Sequence, residues 1–203
     1  SLGRALITNL PLESATDFDH SLFDYIKVVD GADYEAFRWK LSVEQYVPWG
    51  HALFLDADIE VRRDPSPVFN VLENYPFAIC PRGNPCNKMG DLWGEPLANC
   101  GLREFNSGVF AFDNHDPRVK DFFSRLRINH SQRNERVDQP SFMVTIYQDP
   151  SFPIAPLSLE WNATNRWEEA RAFVRKYPEK IGFYHYRDPH RFFDIEAAMA
   201  ETL

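Results

Sequence analysis

The chain has 203 residues, about one domain's worth on length alone. Hydrophobic residues make up 44% and charged residues 26%, close to globular averages, so a sizeable core can form without disulfide or metal staples. Lysine and arginine number 22 against 30 aspartates and glutamates, a net charge of -8. No broad basic field exists to release counterions, which argues against nucleic acid or an anionic membrane as a bulk-charge partner.

Apolar runs are short, Ala52 to Leu55 being typical, so no segment is expected to span a bilayer. Ser1 to Leu12 holds one basic residue and no apolar stretch of signal-peptide length. The chain opens abruptly on a strand, and an upstream piece is expected ahead of it. Cys80, Cys86 and Cys100 are odd in number and share one loop-rich stretch. Free thiols in a reducing, cytoplasmic compartment are expected, over one disulfide plus a leftover thiol or a zinc site. Sequons at Asn129 and Asn162 have weight only in a secreted protein.

In chain order, Arg4 to Thr8 reads as a strand, and Tyr25 to Val29 as another that closes at Asp30-Gly31. Asp33 can cap a helix with Tyr34, Phe37 and Leu41 on one face, ending near Pro48. His51 to Leu55 is a continuous apolar strand, as expected for one buried on both faces. Asp64 to Phe69 opens a short helix with proline in its first turn, and Phe77 to Cys80 is a strand. Pro81 to Arg103, with three prolines and four glycines, reads as a long loop of the functional or mobile kind. Phe105 to Phe112 alternates like a strand. Val119, Phe122, Phe123 and Leu126 form a helical stripe, so Asp116 to Ile128 is an amphipathic helix. A helix follows from about Pro140 to Tyr147, an extended piece from Pro153 to Leu159, a helix from Trp167 to Tyr177 and a strand from Lys180 to Tyr186. This alternation implies an α/β fold with a mainly parallel central sheet flanked by helices, in one domain over 1–203.

The sharpest chemical feature is Leu53 to Glu60, LFLDADIE. A buried strand runs straight into Asp56-Ala57-Asp58, and ligands of open α/β sheets bind just past the carboxyl ends of strands. Residues i and i+2 point to one side, so both carboxylates address one ligand. Side by side they repel unless a cation sits between them. A divalent metal bridging a diphosphate meets that need; an Asp-rich solvated turn is the plainer alternative.

HALFLDADIEV together with EFNSGVFAFD resembles the metal-dependent, GT-A-fold glycosyltransferases, and is most similar to the glycogenin-like family 8. The resemblance runs from about Asp33 to Tyr186 through four pieces in the family's order: Asp56 and Asp58, then Asn106-Ser107-Gly108, Asp138-Gln139 and His185. It implies that Asp56, Asp58 and His185 hold manganese or magnesium with the diphosphate of a nucleotide-sugar, a UDP-sugar as donor. It further implies donor contacts from Ala57, Asn106, Ser107 and Gly108. Asp138 and Gln139 would meet the sugar at the reacting centre, and Lys40 or Arg38 the phosphates. Transfer would be to a carbohydrate or other hydroxyl acceptor, with retained configuration.

Plainer alternatives stand beside each: a core histidine at 185, a tight turn at 106–108, a helix cap at Asp138, a solvated face at Lys40. Trp161-Asn162 resembles the family's aromatic-asparagine segment, though Trp161 is equally suited to a core.

The chain departs from the family in two places. The usual first strand-helix unit is not found ahead of Arg4, so either upstream sequence is absent or the nucleotide pocket is built differently. The closing glycine and lysine-proline-tryptophan pattern is replaced by Arg187-Asp188-Pro189-His190, where Arg187 or His190 would take over the diphosphate contact. A haloacid-dehalogenase-like phosphatase also ends a strand in Asp-x-Asp and uses the first as nucleophile, but Glu60 stands where that motif has threonine or valine. A sugar- or nucleotide-binding domain without turnover is the non-enzymatic alternative.

Overall fold

The computed structural model describes residues 2–8, 19–29, 39–85, 103–133, 138–164 and 168–186. Three strands make the centre because their apolar runs can be covered on both faces: β3 (His51–Leu55), β5 (Phe77–Pro85) and β6 (Arg103–Asp113). With β7 (Ile154–Pro156) they form one sheet in the order β3-β6-β5-β7. Alternation along β6 sends Phe110 and Phe112 to one face and Val109 and Ala111 to the other, as a period of two requires.

The first face carries a phenylalanine cluster. Phe54, Phe77, Phe110 and Phe112 pack against Phe122 and Phe123 of α2 (Pro117–Arg133) and Phe142 of α3 (Gln139–Gln148). Phe54 and Phe110 stack with ring centroids 4.7 Å apart. The second face is covered by Val68 of α1 (Ser66–Phe69), Leu72, Leu157, Trp161 and Phe183. Trp161 is thus a core residue, 5.2 Å ring to ring from Phe183. Further along the chain, α4 spans Glu168–Lys176.

Two small ladders complete the description. β1 (Ala5–Thr8) and β2 (Tyr25–Val28) pair in parallel. β4 (Ile59–Val61) pairs antiparallel with β8 (Phe183–His185), Ile59 opposite His185.

The central sheet is mixed rather than mainly parallel. β6 runs antiparallel to both β3 and β5, and only β7 is parallel to β5. An apolar run buried on both faces looks the same in either direction, because burial sets the pattern and strand direction does not. The helix expected from Asp33 to Pro48 survives as a 3-10 segment, Lys40–Gln45, with Ser42 off helical geometry; residues 30–38, Arg38 among them, lie outside the described residues. β5 continues to Pro85, opposite Arg103, into the stretch read as a loop, and 86–102 lie outside the described residues, as do Arg187 and His190. Among the described residues, no helix is long and apolar enough to cross a membrane.

Cys80 is a free, buried thiol whose S–H points at the Ser158 carbonyl, 3.3 Å away, and burial pushes its ionisation well above the usual thiol range. Cys86 and Cys100 lie outside the described residues. The sequon asparagines are buried: Asn129 donates to Thr145 and Gln148 across the α2–α3 contact, and Asn162 is 2% exposed.

Candidate active site

The end of β3 is where the expected residues meet. Leu55 pairs with Val109, so the next residue, Asp56, leaves the ladder beside Gly108 and its N–H donates to the Gly108 carbonyl at 2.9 Å. Ala57 and Asp58 make the turn, Ala57 exposed at its outside. The chain then returns as β4, and the β4–β8 ladder lays His185 against that turn. The Tyr186 N–H donates to the Asp58 carbonyl at 3.0 Å, which locks the two segments together. Two antiparallel ladders therefore bring positions 56, 58, 108 and 185 to one point.

His185 Nε2 lies 3.2 Å from Asp58 Oδ1 and 4.0 Å from Asp56 Oδ2. One ligand atom from each of the three residues falls within 4.8 Å of the other two. Gly108 forms the floor. A Cβ there would run into the His185 ring and stand 2.9 Å from both Asn106 Oδ1 and Asp56 Oδ2, so a backbone without a side chain is what lets the triad close up.

A second set of charges adjoins it. Lys40 Nζ, only 3% exposed at its side chain, lies 2.9 Å from Asp56 Oδ1 and 2.9 Å from Asp138 Oδ2, with Ser107 Oγ at 3.5 Å. Ser107 in turn donates to Asp138 Oδ2 at 2.6 Å. Asp138 precedes α3 but its carboxylate makes no capping bond to the helix; it faces the site, and the cap alternative does not hold. Lys40 is likewise not a solvated face but a buried bridge between two acids.

Burial pushes the Asp138 carboxyl upward, yet the Lys40 charge and the Ser107 hydroxyl outweigh it and hold the group below the usual carboxylate range. Asp56 goes the other way. Burial raises it, Lys40 offsets only part of that, and the charge of Asp138 adds to the rise. Asp58 is held low, chiefly by its hydrogen bond with His185.

Three carboxylates stand around one lysine, which bridges Asp56 and Asp138, so acidic groups are in excess here. Two carboxylates and an imidazole form a hard oxygen-nitrogen set suited to magnesium or manganese. Bonds of about 2.1 Å put ligand atoms about 3 to 4.2 Å apart, a range that holds the 3.2 and 4.0 Å between His185 Nε2 and the two carboxylates. The residues fit a divalent cation.

Asn106 and Asn162 sit behind the triad rather than at its open side. Asn106 Oδ1 accepts from the Gly108 N–H and from Asn162 Nδ2, both at 2.9 Å, and Asn162 Oδ1 is 3.1 Å from His185 Nδ1. Gln139 lies apart from the triad, and its Nε2 donates to Glu104 Oε1 at 2.5 Å, where Arg82 pairs with the same carboxylate. Neither Glu104 nor Arg82 figures in the sequence reading. The signal was the strand period: Glu104 stands two residues before Asn106 on β6, hence on its side of the strand.

No protein-family model matches the chain, and no curated protein sequence matches it. Solved structures do. The fold is similar to the mouse xyloside xylosyltransferase 1, at a TM-score of 0.57 and 16% identity over 89% of this chain and 82% of that one. It is similar to the glycosyltransferase GlyE of Streptococcus pneumoniae TIGR4, at a TM-score of 0.65 and 16% identity, covering 99% of this chain and 52% of that one. It is similar as well to the galactosyltransferase LgtC, solved with donor and acceptor sugar analogues, at a TM-score of 0.58 and 16% identity over 96% and 77%. The chain has the α/β fold of these glycosyltransferases.

Proposed function

We propose that this chain is a glycosyltransferase of the glycogenin-like kind, one catalytic domain that moves a hexosyl group from a nucleotide-diphosphate sugar, a UDP-sugar, to a hydroxyl acceptor. The observation that carries the reading is the meeting of Asp56, Asp58 and His185 at the end of β3, in a fold shared with solved glycosyltransferases. In the reaction the bond between the anomeric carbon and the diphosphate oxygen breaks and one to the acceptor oxygen forms. The acceptor's proton goes to the departing diphosphate.

Asp56, Asp58 and His185 would hold manganese or magnesium, which when bound supplies Lewis-acid charge to the leaving diphosphate. Lys40 keeps Asp56 and Asp138 in place and favours the charged form of each. Asp138, fixed by Lys40 and Ser107, presents a carboxylate to the sugar's hydroxyls. Gln139 spends an amide N–H on Glu104, which leaves its carbonyl oxygen as the acceptor toward the donor. Ser107 and Gly108 adjoin the place where the donor would lie, and Asn106 acts from behind them through its bonds to Gly108 and Asn162. A reducing, cytoplasmic setting belongs to the same reading.

The test is donor turnover by the chain over a panel of nucleotide-sugars, with manganese and after chelation. Manganese-dependent release of a nucleoside diphosphate from one donor is expected. Metal-dependent donor binding with no release would instead make this a binding domain, and release from simple phosphate esters a phosphatase. Product anomeric configuration, read by proton NMR, is expected to match the donor's.

A further inference from the structure

We propose that Asn106 and Asn162 are positioning residues that fix which nitrogen of His185 faces the metal site; the role rests on the metal reading above. The backbone N–H of Gly108 can only donate. The Gly108 N–H points at the Asn106 carboxamide at 2.9 Å, so the atom facing it is the oxygen. That oxygen also meets the Asn162 carboxamide at 2.9 Å, so the Asn162 atom there is the nitrogen. The other end of Asn162, now its oxygen, lies 3.1 Å from His185 Nδ1. An oxygen acceptor requires Nδ1 to carry the hydrogen. In the neutral ring the lone pair is then on Nε2, the nitrogen turned toward Asp58 and Asp56.

One backbone amide thus sets the direction of a three-member relay, and each link is buried: Asn106 is 4%, Asn162 2% and His185 3% exposed. Histidine ligands are commonly held through their second nitrogen in this manner, with about 10- to 100-fold of metal affinity at stake. Here the partner is a carboxamide, which adds no charge beside a site already rich in carboxylates. Gly108 serves twice, as the floor of the triad and as the origin of the relay.

The experiment has two readouts on the full chain. Long-range nitrogen-proton NMR of the unmodified, metal-free protein at alkaline pH is expected to show the His185 proton on Nδ1. Manganese affinity by electron paramagnetic resonance is expected to weaken about 10-fold or more in Asn162→Ala, and the His185 proton in that variant to shift toward Nε2. A ring proton on Nε2 in the unmodified chain overturns the relay, as does an Asn162→Ala affinity within about twofold of the parent. A parent chain that leaves manganese free in solution removes the metal reading itself, and this role with it.

Discussion

At the scale of single residues, the site depends on groups that neutralise or crowd one another. Asp58 joins His185 at 3.2 Å and lies outside the Lys40 bridge. Asp58→Asn is therefore expected to abolish manganese-dependent donor binding while leaving the fold intact. Titration with a nucleotide-sugar, with and without manganese, checks this, and undiminished metal-dependent binding would remove Asp58 from the ligand set. Gly108→Ala is a harsher change. Its methyl group would meet the His185 ring, Asn106 Oδ1 and Asp56 Oδ2 together, none of which can retreat without breaking the relay or the triad. Manganese affinity in that variant is expected to fall at least 10-fold, by the measure used for other outer-sphere losses; unaltered affinity would show that the triad has slack the structure does not display. Asp56 and Asp58 were legible in the sequence because strand-end carboxylates two apart share a side, whereas His185 came from the resemblance alone and the structure brings it to the same point. What could not be read was the partnering: that Asp138 turns inward instead of capping α3 depends on Lys40, 98 positions earlier in the chain, being buried beside it.

At the scale of elements, the triad exists because β4 and β8 pair. Ile59-Glu60-Val61 is only three residues long, too short for a periodic signal, and the sequence reading passed over it. β8 itself was expected, but as a longer strand from Lys180; the chain before it is instead a 3-10 turn, Pro178–Lys180. The central strands were readable because their apolar runs are strong, whereas their directions were not, since a strand covered on both faces carries no directional mark. Phe183 ties β8 to the second core face and is fully buried against Trp161. Truncating it to alanine should cost about 3–5 kcal/mol of stability, seen as a lower denaturant midpoint. Because His185 is two residues further along the same strand, manganese affinity should fall in parallel. Stability lost with affinity unchanged would mean that His185 is held by the Asn162 contact and the Tyr186–Asp58 bond without help from the core.

At the scale of the whole molecule, the site's carboxylates make opposite contributions to folding. Asp138 is held below the ordinary carboxylate range by Lys40 and Ser107 in spite of burial. Its ionised form favours the folded state, a contribution present above the unfolded value of about 3.9 and lost as pH falls through the lower folded value. Asp56 is raised, by burial first. Its ionisation opposes folding, a cost absent in acid that sets in as pH rises past the unfolded value and is complete above the raised folded one. A cation bound by Asp56 would offset that cost, so a site poised for metal is a source of instability when metal is withheld, as functional sites commonly are. In chelated buffer at neutral pH, Asp138→Asn is expected to lower the melting temperature and Asp56→Asn to raise it. The Asp56→Asn difference should shrink as pH falls toward about 4, because its folded value is raised, whereas the Asp138→Asn difference should persist to about pH 4 and shrink only below it. Melting curves of the two variants and the parent across this range, with and without manganese, make the comparison; added manganese should raise the parent's melting temperature and leave Asp56→Asn nearly unmoved. If Asp56→Asn is less stable than the parent in chelator, then Asp56 serves the fold through Lys40 more than it serves a metal, and the charge balance drawn for the site is wrong.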